Sequence, residues 1–100
     1  MKLPKWFENQ LKKVMEHNNY KPNMLTVEEC EKTNQWTPCD LIYREYLNNG
    51  GGSAKGFLGL TRANCIKGAM FIKEHFKELV DNDLLSKEGR NNFGFVLWKI

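Results

Sequence analysis

Leu3, Phe7, Leu11 and Val14 recur at spacings of four and three, Trp6 and Met15 widen the stripe, and Lys5, Lys12, Lys13 and Glu16 fall on the other side. An α-helix gathers such positions on one face, so the spacing predicts an amphipathic helix with Pro4 in its first turn, where a missing N–H costs nothing. The helix is expected to stop at His17 to Asn19, before Tyr20, Lys21 and Pro22. Thr26 with Glu29 then fits a capping box, and Val27 and Cys30 form the inner edge of a minor helix. Thr37-Pro38-Cys39-Asp40 is a clear helix start, with an N-cap hydroxyl, a proline at the first helical position and an acid that complements the dipole. Leu41, Ile42, Tyr43, Tyr46 and Leu47 give that helix its buried side, and Asn48 to Gly52 end it.

Further along, Cys65, Ala69, Ile72, Phe76 and Leu79 form one stripe, flanked by Ile66 and Val80 and capped by Thr61, which predicts an unbroken helix to about Asn82. Gly68 interrupts it. An interior glycine costs ~1 kcal/mol against alanine unless another helix packs closely there. Beyond the helix, Leu84-Leu85-Ser86-Lys87 and Phe93-Gly94-Phe95-Val96-Leu97-Trp98 read as strands around a loop of residues 88–92 that tolerates positive φ.

A chain of 100 residues with 41% hydrophobic content can build one core but not two, so a single domain, 1–100, is expected. The net charge of +3 permits an anionic partner without demanding one, and nucleic-acid binding would require the positive charge to be concentrated on one face. No run is long enough for a secretory segment or a bilayer span, which predicts an intracellular, cytoplasmic protein without a membrane partner. Cys30, Cys39 and Cys65, odd in number and irregularly spaced, suit free thiols.

Catalytic and cofactor chemistry find little support. In the run GGGSAKG at 50–56, Lys55 precedes Gly56, whereas a phosphate-cradling loop needs Gly-Lys followed by Ser or Thr; the run reads as a natural loop or as a flexible linker of engineered type. The cysteines with His17 or His75 lack the short ligand spacing of a zinc motif. Cys65 and His75 on one helix stand about 15 Å apart, too far to act as nucleophile and base. No enzyme activity, cofactor or metal is expected. Trp6, Trp36 and Trp98 could stack on bases, but packing residues are the plainer reading.

From Thr37 to Trp98, the order of helix, glycine loop, short segment at Ala54 to Leu58, long helix and ribbon resembles the winged helix-turn-helix superfamily. The resemblance implies a mainly α (α+β) fold: a winged-helix-like helical domain over 37–98 with a C-terminal β-hairpin as its wing and 1–36 as an N-terminal helical extension. Within it, LTRANCIKG resembles the exposed start of a recognition helix, which carries the contact role onto Thr61, Arg62, Asn64 and Lys67, while Lys87, Arg90 and Asn91 fall in the wing. These residue types suit DNA: arginine offers a fork to guanine, asparagine pairs with the edge of adenine, and threonine and lysine hold phosphates. The same residues also solvate ordinary surfaces.

Two functions follow as expectations. One is a small DNA-binding module of the transcriptional-regulator or replication-accessory type, using the long helix and hairpin. The other is a non-enzymatic protein-binding adaptor or inhibitor, of the kind found among phage and mobile-element accessory proteins, on the same scaffold. Either admits a homodimer.

Overall fold

The computed structural model describes residues 1–21 and 24–88, which form six helices: α1 (Lys5–His17), α2 (Val27–Lys32), α3 (Pro38–Asn49), α4 (Ala54–Phe57), α5 (Arg62–Glu74) and α6 (Phe76–Asp81). Three threonines cap helices as their sequence context predicts. The hydroxyl oxygens of Thr26, Thr37 and Thr61 accept the backbone N–H three residues on, from Glu29, Asp40 and Asn64. At α3 the capping box is complete, because the Asp40 carboxylate also accepts the Thr37 N–H. At α2 it is half formed, since the Glu29 carboxylate takes the Thr26 hydroxyl proton instead of a backbone one.

Gly50 closes α3 in the left-handed conformation at φ +57°, with its N–H on the Tyr46 carbonyl. α3 and α5 make the most extensive helix contact, and α1 packs against both. Their shared core holds Phe7, Leu11 and Val14 from α1, Cys39, Ile42 and Tyr43 from α3, and Cys65, Ala69 and Ile72 from α5. Trp36, Ala54, Leu58, Leu60, Leu79 and Leu85 belong to it as well.

Asp40 does more than cap. Fully buried, its carboxylate accepts the Ser86 N–H at 3.0 Å and the Ser86 hydroxyl at 2.8 Å, tying the chain beyond α6 to the start of α3. Val27 N–H on the Asp83 carbonyl at 2.8 Å fastens α2 to the same end.

Two expectations are corrected. The mainly α (α+β) architecture with a C-terminal β-hairpin gives way to a helical one, for no strand occurs among the described residues and 84–87 are irregular. The backbone donors that a strand would offer are taken: Leu84 N–H closes α6 on the Leu79 carbonyl, Asp83 adopts a positive φ, and Ser86 N–H goes to Asp40. The expected second strand, 93–98, lies outside the described residues. The helix expected to run unbroken from Thr61 to Asn82 also breaks at His75, the last cap of α5 and the first of α6. Ile72 and Leu79 stay buried on either side, so the break leaves both in the core.

Candidate functional site

Gly68 lies where Gln10 of α1 comes down on α5. A Cβ added at Gly68 would collide with Gln10 Oε1 and press on Ile42 Cγ2 at 3.3 Å. Gln10 is itself buried, and its Nε2 donates to the Asn64 carbonyl at 2.9 Å. The crossing thereby fixes the first two turns of α5 against the polar edge of α1.

At that edge the two helices enclose a cavity of about 200 Å³, lined by Trp6, Asn9, Gln10 and Lys13 from α1, Asn64 and Lys67 from α5, and Leu60 before it. Lys67 Nζ lies 4.3 Å from the centroid of the Trp6 ring, whose negative face steadies the ammonium group. Trp6 is held in turn by edge contacts with Phe7 and Phe71, at centroid distances of 5.7 and 5.6 Å. Among the described residues no carboxylate lines the cavity, and neither Lys13 nor Lys67 pairs with an acid. Its polar rim is therefore cationic and rich in amide groups.

The contact residues expected from sequence divide into three sets. Thr61, Arg62, Asn64 and Lys67 are all exposed at the start of α5. Asn64 and Lys67 line the cavity, Arg62 does not, and the Thr61 oxygen is engaged as a cap. Lys87 is elsewhere: it lines a separate hollow with Glu31, Asp83 and Glu88, an acidic setting. Arg90 and Asn91 lie outside the described residues. Asn9 and Lys13 were not anticipated as site residues, although Gln10, a polar side chain on the flank of the Phe7–Leu11–Val14 stripe, marks where α1 meets a polar neighbour.

The thiols are built for packing. Cys30, Cys39 and Cys65 are free and buried. Burial, reinforced by Glu45, pushes the Cys65 thiol up to about 11, and burial with the neighbouring Asp40 raises Cys39 well above the ordinary thiol value. Both remain protonated at neutral pH, the unreactive form. Cys65 points its S–H at the Ile42 carbonyl, while His75 contacts Glu78 at 3.5 Å and stacks on Phe71. Trp36 is buried between the α2 and α3 segments, and its backbone carbonyl accepts the Tyr20 hydroxyl.

No family model matches the chain, and no curated protein or solved structure does so either.

Proposed function

We propose that the protein is a small, non-enzymatic nucleic-acid-binding module, of the DNA-binding kind, that engages its target through α1 and the first turns of α5. The observation that carries this reading is the gathering of Lys13, Lys67, Asn9 and Asn64 around one cavity that no carboxylate lines among the described residues. Cations attract the backbone, and carboxamides offer both donors and acceptors to phosphates or base edges. Arg62 is a further exposed cation at the start of the same helix.

Much of the acidic charge lies on other elements. Glu28, Glu29 and Glu31 sit on α2, and Glu78, Asp81 and Asp83 on and just after α6. A net charge of only +3 is thus compatible with a local positive face. A cytoplasmic setting belongs to the same proposal; what the described residues supply is that no helix is long and apolar enough to cross a membrane.

A protein-binding adaptor is the second reading, supported by Phe57, 63% exposed on α4, and Leu47, 44% exposed on α3. Capture of partners by the full chain from lysate, with and without nuclease, separates the two. Nucleic acid recovered with the protein, and lost on nuclease treatment, supports the first. Protein partners that survive nuclease, with no nucleic acid bound, overturn it.

A further inference from the structure

We infer that the cavity between α1 and α5 is a seat for a single phosphate group, occupied by one backbone phosphodiester of the bound nucleic acid. The inference rests on the nucleic-acid reading and names the part of the ligand that enters the cavity. Size is the first argument: at about 200 Å³ the cavity is smaller than the ~300–1,000 Å³ of ordinary small-molecule sites, so it suits one compact group and not a whole cofactor.

Charge is the second. An ammonium group donates hydrogen bonds and accepts none, so Lys13 and Lys67 can be satisfied together only by acceptors. Both cations line one small hollow and among the described residues no carboxylate pairs with either, so an anion seated there is attracted by both. Preorganisation is the third. Trp6 already holds the Lys67 ammonium over its ring, so this side chain loses little freedom when the anion arrives. The Asn9 and Asn64 carboxamides add neutral donors to the two charged ones, in keeping with the mix of groups that contacts phosphate oxygens in nucleic-acid complexes.

The test uses the 100-residue chain labelled with ¹⁵N, following the side-chain amides of Asn9 and Asn64 and the indole N–H of Trp6. Three probes are titrated: inorganic phosphate, sodium chloride at matched ionic strength, and a short DNA duplex without terminal phosphates. Phosphate is expected to shift all three signals saturably, chloride to leave them in place, and the duplex to move the same set. In the Lys13→Ala/Lys67→Ala variant the phosphate shifts disappear and DNA affinity falls at least about tenfold, with the salt slope reduced by about 1, the one phosphate that leaves the seat. The Lys13→Arg/Lys67→Arg variant keeps both responses, which a merely structural role for the lysines would not require.

Equal shifts with chloride, or undiminished phosphate shifts in the Ala variant, overturn the seat. Phosphate binding without DNA binding leaves the seat standing and removes the nucleic-acid reading. DNA binding that is unchanged in the Ala variant does the reverse. A response only to a 5′-phosphorylated duplex contradicts the assignment to an internal phosphodiester.

Discussion

Gln10 lies across Gly68, with its Oε1 in the space a Cβ would fill and its Nε2 bonded to the Asn64 carbonyl 2.9 Å away. One glycine and one buried amide thus set how closely α1 approaches α5, and with it the shape of the basic cavity. Gly68→Ala would gain ~1 kcal/mol in helix propensity. It would also expel the Gln10 carboxamide, costing ~1 kcal/mol for the lost bond, with further strain where Ile42 must yield. A net loss of about 1 kcal/mol is expected in urea denaturation. In a Gln10→Ala background the same substitution should be neutral or stabilising, and a loss of equal size there would show that the glycine matters for another reason.

The Asp40–Ser86 connection should be among the costliest to break. Asp40→Ala leaves the Ser86 N–H and hydroxyl without their buried acceptor and removes half of the α3 capping box, so about 3 kcal/mol of stability is expected to go. Ser86→Ala keeps the N–H bond and removes only the hydroxyl one, an effect of about 1–2 kcal/mol. Denaturant midpoints that rank the two variants in the opposite order would contradict this account of how the chain beyond α6 is held.

Alkaline pH should loosen the fold through its thiols. Cys65 is raised from 9.0 to about 11, and Cys39 and Tyr43 are raised in the same direction by burial. Between the unfolded and folded values the unfolded chain has released protons that the native one retains, so stability falls as pH rises. The Cys65 contribution is therefore whole below about pH 9 and lost progressively towards about 11. Denaturation at a series of pH values checks this: Cys65→Ala lowers stability at every pH by opening a cavity, and it should also flatten the alkaline slope.

Much of the helical framework could be read directly, because its signals are local. Thr37-Pro38 and Thr61 announce their helices through side chains that satisfy nearby amides, and Gly50 ends α3 for a reason carried in its own backbone. The break at His75 left no such mark, since Ile72 and Leu79 keep the helical period across it. The strand expected at Leu84 to Lys87 failed partly for a non-local reason: Asp40, 46 residues before Ser86, takes the Ser86 N–H that a sheet would need.

The candidate site was legible by halves. Asn64 and Lys67 follow from their places on α5, but their neighbours Asn9 and Lys13 on α1 depend on the helix crossing, to which only Gln10 and Gly68 gave a clue. Lys87 was grouped with them through a hairpin that the described residues do not form, and its surroundings are acidic. Accordingly, Lys13→Ala should weaken DNA binding in a filter-binding assay about as much as Lys67→Ala does, several-fold at low salt, although the two residues are far apart in sequence. An unaffected Lys13→Ala variant would confine the interface to α5.

The salt dependence of DNA affinity tests the central claim most directly. For the intact chain, log K should fall linearly with log salt between about 50 and 200 mM as counterions are released from the contacted phosphates. Arg62→Ala and Lys67→Ala should each reduce the slope by about one, and Lys87→Ala should leave it unchanged. An affinity indifferent to salt, or a slope that both α5 variants retain while Lys87→Ala lowers it, would contradict a nucleic-acid interface built on α1 and α5.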